Sequence, residues 1–80
     1  MKTIIDIRDK SKYLKSHIDG AINISYMDLL LNHKRYLEKD KIYYIYCDSG
    51  VRSKSLVEKL NNLGYHTINI DGGYNNYLLR

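Results

Sequence analysis

Residues 47–53 read Cys47-Asp48-Ser49-Gly50-Val51-Arg52-Ser53, and they hold the only cysteine of an 80-residue chain. A run of strand-forming residues at 42–46 precedes them, and an amphipathic helix pattern begins at Ser53. A thiol between a strand end and a helix start meets inward-pointing backbone N–H groups and the positive end of the helix dipole. Both effects favour the thiolate, which is the reactive form of cysteine. The spacing therefore predicts an anion-binding loop wrapped around a nucleophilic Cys47.

The length and the cysteine content limit the class of protein. Eighty residues suffice for one small domain, which we expect to span residues 1–80. A single cysteine excludes an internal disulfide framework and a multi-cysteine zinc site, and it is compatible with a reducing cytosol. Residues 1–6 do not form the apolar region of a signal peptide, and the longest apolar run, at 42–47, is too short to cross a membrane. We therefore expect a soluble cytoplasmic protein.

Positive charge exceeds negative charge, but the surplus is scattered along the chain. Thirteen Lys and Arg residues against nine Asp and Glu residues give a formal net charge of +4. Lys10, Lys12 and Lys15 are interrupted by Asp9 and Asp19, which is typical of a solvated surface and not of a nucleic-acid footprint. We therefore expect neither nucleic acid nor a membrane as partner, although the surplus could help to attract a small anion.

Short strand patterns alternate with helix patterns along the whole chain. Strands are predicted at residues 4–7, 21–24, 42–46 and 67–70. Helices are predicted after a cap at Ser11 with Leu14 on the apolar face, after a cap at Ser25, over 53–63 with Leu56, Val57, Leu60 and Leu63 on one face, and over 74–79. This alternation predicts an α/β fold with a small parallel sheet flanked by helices. Ligands of such sheets bind beyond the carboxyl ends of the strands, where Cys47 is expected.

Four ordered segments carry a resemblance to a known family. They are residues 5–8 (Ile-Asp-Ile-Arg), 17–24 (His-Ile-Asp-Gly-Ala and a strand), 46–53 (the cysteine loop) and 71–73 (Asp-Gly-Gly) with Tyr77 after it. In this order and spacing the chain resembles the single-domain rhodanese-like sulfurtransferases. The resemblance implies the rhodanese-like fold over nearly the whole chain.

The resemblance also implies a chemical mechanism. The Cys47 thiolate would attack the outer sulfur of a small donor anion such as thiosulfate, form a persulfide, and pass the sulfur to cyanide or to a thiol or protein acceptor. Arg52 would join Cys47 as a catalytic residue by orienting the loop or pairing with the donor anion. The donor and the anionic sulfur would be held by the rest of the loop, that is, by Asp48, Ser49, Gly50, Val51 and Ser53.

Two departures from the family pattern affect the expected chemistry and assembly. Asp48 places a negative charge beside the nucleophile, where it is expected to repel a dianion such as thiosulfate and to raise the pKa of the thiol. The family's usual first edge strand has no counterpart before residue 4. A sheet of about four strands with an exposed edge is therefore expected, and that edge could pair with another copy or with a protein partner.

Several polar residues outside the loop are expected to have structural roles or no role in the chemistry. Asp6 and Arg8 are expected to tie strand ends to neighbouring loops, and His17 to stabilise a turn. His33 and His66 have no second ligand at a useful spacing, so we expect no metal ion and no cofactor.

Two other functional classes stay open from the sequence. One is a non-catalytic or protein-specific persulfide carrier and interaction module, which Asp48 and the exposed edge favour. The other is a phosphatase or arsenate reductase, because related loops bind phosphate or arsenate. Four residues separate Cys47 from Arg52, whereas the related phosphatases carry one more, which makes this class the weaker alternative.

Overall fold

Parallel strands and helices alternate along residues 2–79, the part of the chain that the computed structural model describes. The strands are β1 (Thr3–Asp6), β2 (Ile22–Asn23), β3 (Ile42–Tyr46) and β4 (His66–Asn69). The helices are α1 (Lys10–Lys15), α2 (Tyr26–Leu31), α3 (His33–Tyr36), α4 (Val51–Asn62) and α5 (Gly73–Leu78). Residues 1 and 80, the two ends of the expected domain, lie outside the described residues.

The strands form one sheet in the order β2-β1-β3-β4, and every neighbouring pair is parallel. Ile45 of β3 lies opposite Ile5 of β1 on one side and Asn69 of β4 on the other. The predicted α/β class and four-stranded parallel sheet are therefore confirmed. Because all strands run the same way, their carboxyl ends meet at one edge, and Cys47 follows directly after the interior strand β3.

Side chains alternate between the two faces of each strand, so each face builds its own core. The larger cluster includes Ile5, Tyr43 and Ile45 from the sheet, with Leu29 of α2 and Leu56 of α4 packed onto them. The smaller cluster consists of Ala21, Tyr46 and Tyr74, and the partly buried side chains of Ile4, Tyr13, Ile18 and Ile70 pack against it. Both cores fix the end of β3, from which the cysteine loop departs.

The start of α1 and the end of α4 differ from the sequence predictions. Asp9, not Ser11, occupies the N-cap of α1, and its side chain makes no capping hydrogen bond. The predicted apolar faces were too wide, because Leu14 is 68% exposed and Leu63, which lies beyond the end of α4, is 51% exposed. The cap at Ser25 is confirmed, since its hydroxyl accepts a hydrogen bond from the backbone N–H of Asp28 at 3.2 Å.

The outer edge of β4 is occupied by a side chain. The carboxamide of Asn61, on α4, accepts a hydrogen bond from the backbone N–H of Thr67 at 2.8 Å and donates to its carbonyl oxygen at 3.1 Å. These are the groups that a fifth strand would use at this position. Pairing of this edge with another chain stays a prediction, and at Thr67 it would require Asn61 to be displaced.

Candidate active site

Three polar groups of the loop converge on the sulfur of Cys47. The backbone N–H of Gly50 donates to Sγ at 3.2 Å and that of Ser53 donates at 3.4 Å. The Ser53 hydroxyl oxygen also lies 3.4 Å from Sγ and accepts the hydrogen bond of the thiol. The predicted loop wrapped around Cys47 is therefore present, and donors that face Sγ are suited to hold a negative charge on sulfur.

The environment lowers the pKa of the Cys47 thiol below its ordinary value. Burial by itself raises the pKa, but the Ser53 hydroxyl and the Ser53 N–H oppose that effect. The backbone N–H groups of Gly50 and Arg52 add to the lowering. Hydrogen bonds to the charged form favour ionisation, so the loop makes the thiolate more accessible at neutral pH.

The path of the loop requires glycine at two positions. Gly50 has a φ of +92°, and its carbonyl oxygen accepts the first backbone hydrogen bond of α4, from Lys54 at 3.1 Å. The helix therefore begins at Val51, two residues before the predicted start. A Cβ on Gly73 would lie 2.3 Å from the carbonyl oxygen of Cys47, which no real side chain tolerates. The Asp-Gly-Gly segment thus packs directly against the backbone of Cys47.

The first turn of α5 holds the loop from the other side. The backbone N–H of Tyr74 donates to the carbonyl oxygen of Cys47, and that of Asn75 donates to the carbonyl oxygen of Asp48, both at 2.9 Å. These amides are among those that a helix leaves unpaired at its start. The loop is therefore anchored both by its own helix α4 and by α5.

Cys47 lies at the floor of a small cavity of about 150 Å³ at the carboxyl edge of the sheet. The thiol residue is only 6% exposed. The cavity is lined by Ile7, Arg8, Asp9, Lys12, Cys47, Asp48, Ser49 and Arg52. Three of these residues are cationic, so the cavity is chemically suited to a small anion or to an anionic sulfur group.

The Asp48 carboxylate is paired with two cations of the cavity. It turns away to Lys12, whose Nζ lies 2.8 Å from Oδ2, and it approaches Nη1 of Arg8 at 4.0 Å. The pKa of Cys47 is lowered overall, with burial and the hydrogen bonds from Ser53, Gly50 and Arg52 as its leading causes. A raising effect of Asp48 on that pKa stays a prediction, and the two cations that face its carboxylate reduce the effect to be expected because they offset its charge.

The other predicted loop residues differ in whether they line the cavity or contact the sulfur. Arg52 and Ser49 line the cavity, and the Arg52 guanidinium lies over the ring of Tyr26 at 4.6 Å from its centroid. Val51 is 72% exposed and does not line the cavity. Ser53 is fully buried and contacts Sγ directly.

A buried ion pair supports the cavity wall, as expected for Asp6 and Arg8. The Asp6 carboxylate is fully buried and accepts hydrogen bonds from the Arg8 backbone at 2.8 Å and from the Arg8 guanidinium at 2.7–3.1 Å. The Tyr46 hydroxyl donates to the same carboxylate at 2.7 Å. Burial and this hydrogen bond raise the pKa of Tyr46, so it stays a donor. The Arg8 guanidinium also lies 4.0 Å from the centroid of the Tyr74 ring, which fixes its position.

Three larger cavities lie elsewhere on the described residues, and none of them contains Cys47. Two lie near the amino ends of the strands, around Ile42, and the third lies beside Gly73 and Tyr77. Within residues 2–79, no three His, Cys, Asp or Glu side chains come together as metal ligands would. The same residues include no helix with the length and apolar character needed to span a bilayer.

A family model for the rhodanese-like domain matches residues 1–80. The chain belongs to the rhodanese-like family. A solved structure of a rhodanese-related protein from Thermoplasma volcanium superimposes with a TM-score of 0.87 at 31% identity, covering 98% of this chain and 77% of that one. The rhodanese-like fold inferred from the four segments is thus confirmed.

Relatives of this rhodanese-like chain include proteins named as sulfurtransferases. YtwF of Bacillus subtilis, which bears such a name, is 33% identical over 70 residues, which are 88% of this chain and 67% of that protein. The thiosulfate sulfurtransferase GlpE of Coxiella burnetii is 31% identical over 72 residues, 89% of this chain and 66% of that protein. The chain spans as little as 12% of a longer relative. The rhodanese-like family to which this chain belongs therefore includes proteins named as sulfurtransferases.

Three residues of this rhodanese-like site were missed by sequence reasoning. Lys12 belongs to a mixed-charge run that is typical of a solvated surface, so nothing marked it as a partner of Asp48. Tyr26 follows a helix cap, and nothing in the sequence indicated that its ring would lie under the Arg52 guanidinium. Asn69 is the last residue of β4, and a polar residue at the carboxyl end of a strand was the one signal available.

Proposed function

We propose that this rhodanese-like protein is a sulfurtransferase that carries sulfane sulfur as a persulfide on Cys47. The observation that carries the proposal is the convergence of the Gly50 and Ser53 backbone N–H groups on Sγ at the floor of a cation-lined cavity. Donors arranged in this way stabilise a negative sulfur, and the lowered pKa of the thiol supplies the nucleophile. The sulfurtransferase names of its relatives agree with this chemistry.

The proposed reaction has two displacement steps. In the first, the Cys47 thiolate attacks the outer sulfur of thiosulfate, a new S–S bond forms, and the bond to the inner sulfur breaks with its electron pair leaving on sulfite. In the second, cyanide or an acceptor thiolate attacks the terminal sulfur and releases the Cys47 thiolate. The Gly50 and Ser53 amides hold the anionic sulfur between these steps, so no metal or redox cofactor is needed.

The cations of the cavity are proposed to receive the donor. Arg52 has a planar guanidinium that suits an oxyanion, and its stacking on Tyr26 keeps it beside the cavity. Arg8 is committed to Asp6, and Lys12 is committed to Asp48. Arg52 is therefore the cation of the cavity that we expect to contact a small donor first.

The pairing of Lys12 with Asp48 favours a second candidate function. A carboxylate at the mouth of the cavity occupies a cation that a dianion would otherwise use. A persulfide presented by a partner protein carries less charge than thiosulfate and would meet less repulsion there. The protein would then act as a persulfide carrier between specific proteins and turn over slowly with small donors.

A thiosulfate-to-cyanide transfer assay, read as thiocyanate, tests the proposal together with the intact mass of the protein after thiosulfate treatment. We expect turnover and a mass gain of one sulfur, because N–H groups that face Sγ can stabilise an anionic sulfur. A mass gain without turnover would favour the carrier function. Absence of both signals, with small donors and with a protein persulfide donor alike, would contradict both candidates.

The substitution Asp48→Asn is expected to increase kcat/KM for thiosulfate by roughly threefold to tenfold at low ionic strength. The reason is that Lys12 loses its acidic partner and becomes available to the donor anion. Because the freed Lys12 would act on donor binding, we expect the gain in KM and an unchanged pH dependence of the rate.

The double variant Lys12→Met with Asp48→Asn is the matched control for this gain. If freed Lys12 binds the donor, the double variant should lose the gain, and raising the salt concentration should reduce it in Asp48→Asn. A gain that persists without Lys12, or a shifted pH profile in Asp48→Asn, would show that Asp48 acts on the thiol itself.

A further inference from the structure

A hydrogen-bonded chain runs inward from the nucleophile through two side chains. The Cys47 thiol donates to Ser53 Oγ at 3.4 Å, and the Ser53 hydroxyl in turn donates to Asn69 Oδ1 at 2.5 Å. Ser53 is fully buried, so water does not compete for its hydroxyl group. The hydroxyl has one proton and two neighbouring acceptors, the sulfur of Cys47 and the amide oxygen of Asn69.

The hydrogen bonds of the Nδ2 group fix the orientation of the Asn69 carboxamide. Nδ2 donates to the carbonyl oxygen of Gly50 at 3.2 Å and to Oδ1 of Asp71 at 2.9 Å. Both partners are acceptors only, so a flipped amide would turn its oxygen toward two other oxygens. Oδ1 of Asn69 must therefore face Ser53, where it can only accept.

The proton on Ser53 consequently has two positions. While Cys47 is a thiol, its S–H points at Ser53 Oγ and the serine proton points at Asn69. When Cys47 ionises, the thiolate has no proton to donate. Besides the backbone N–H groups of Gly50 and Ser53, the same serine hydroxyl can then donate to it, but it must turn away from Asn69 to do so. Asn69 and the thiolate thus compete for one proton.

We propose that Asn69 is a positioning residue that holds the Ser53 hydroxyl proton away from Cys47 and thereby limits the fraction of the cysteine present as thiolate. This role deepens the proposed function, on which it rests through the use of Cys47 as nucleophile. Asn69 thus opposes ionisation of the Cys47 thiol, whereas the backbone N–H donors of the loop favour it. Limiting the thiolate fraction keeps the pKa of the thiol closer to the working pH. A thiol attacks fastest when its pKa is near that pH, because a thiolate of much lower pKa is a weaker nucleophile.

Other charged groups surround the same sulfur and must be held constant in the test. The charged groups that line the cavity are Arg8 and Asp9 from the segment between β1 and α1, Lys12 from α1, Asp48 from the loop, and Arg52 from α4. Asp71 stands behind the Asn69 amide. A substitution at position 53 or 69 alters none of these charges, so differences among those variants report on the hydroxyl and the amide. A substitution at position 69 also removes the amide donor to Asp71, for which Asp71→Ala is the control.

The rate of alkylation of Cys47 by iodoacetamide, measured against pH in the full chain, tests the proposal. Cys47 is the only cysteine, so the reaction reports on this thiol alone. In Asn69→Ala the hydroxyl is released to the thiolate, and we expect alkylation below the thiol pKa to become roughly twofold to tenfold faster. In Ser53→Ala the thiolate loses a donor, and alkylation should become slower.

The double variant Ser53→Ala with Asn69→Ala decides between a positioning role and a merely structural one. If Asn69 acts through the hydroxyl, the double variant should match Ser53→Ala. An unchanged or slower rate in Asn69→Ala, or an equal effect of the Asn69 substitution with and without Ser53, would overturn the proposal. Asn69→Leu keeps the side-chain volume and serves as the second variant if the alanine variant unfolds.

Asp71→Ala is a further control, because it removes one acceptor of the Asn69 amide and leaves the bond to Gly50 in place. Its alkylation rate should stay near that of the unchanged protein. Alkylation needs no sulfur donor, so this experiment gives its answer even if the proposed transfer activity is absent. Failure of the proposed function and failure of the Asn69 role are therefore distinguishable.

Discussion

Cys47→Ser is expected to abolish both the transfer of sulfur from thiosulfate and the mass gain of one sulfur. A serine hydroxyl does not ionise near neutral pH, and oxygen cannot replace sulfur as the carrier in a persulfide. The fold should persist, because the new hydroxyl is small and still meets the N–H groups of Gly50 and Ser53. We expect the free energy of unfolding to fall by no more than about 1–2 kcal/mol.

Denaturant unfolding, the transfer assay and intact mass should be measured on the same preparation of this variant. Ser55→Ala is a suitable control, because Ser55 is an exposed residue of the same helix α4. It should keep both activity and stability. Retained transfer in Cys47→Ser would exclude Cys47 as the sulfur carrier and with it the proposed mechanism.

Asp6→Asn is expected to cause the largest loss of stability, about 3–5 kcal/mol of the free energy of unfolding. Asp6 is fully buried, and its carboxylate accepts hydrogen bonds from Arg8 and from the Tyr46 hydroxyl. The asparagine is similar in shape but uncharged, so the buried Arg8 guanidinium loses its counter-ion. The free energy of unfolding of a small domain is about 5–15 kcal/mol, so this substitution would remove a large part of it.

Asp9→Asn provides the comparison for this loss. Asp9 lies three residues further along the chain, is exposed, and makes no capping hydrogen bond with its side chain. Its substitution should change the free energy of unfolding by less than about 0.5 kcal/mol. Equal losses in the two variants, measured by urea denaturation, would show that the Asp6–Arg8 pair does not stabilise the fold in the way the geometry indicates.

The Asp6–Arg8 pair also shows how far local sequence could reach. Its structural role followed from the strand end at residues 5–8, because the two residues are neighbours in sequence and need no distant partner to meet. The hydroxyl of Tyr46, which completes the pair, could not be placed in this way. It lies 40 residues from Asp6 and reaches it only because β1 and β3 are adjacent and parallel.

The cysteine loop shows the same division within the site. The position of Cys47 after an interior strand, and the presence of loop amides around it, could be predicted from residues 42–53. The ion pair of Asp48 could not be predicted, because its partner is distant in sequence. Lys12 lies 36 residues away and reaches Asp48 across the cavity from α1, so the charge beside Cys47 is compensated from outside the loop.

The parallel α/β fold, the place of Cys47 after an interior strand, and the family could all be inferred from the amino-acid sequence. These depend on hydrophobic period, turn residues and short motifs, all of which act over a few neighbouring residues. The side chains that complete the site could be identified only from the packed chain: Lys12 on Asp48, Tyr26 under Arg52, and Asn69 behind Ser53. Hydrogen bonds and ion pairs require distances of a few ångström between segments far apart in sequence, and the packing of the sheet and its helices sets these distances.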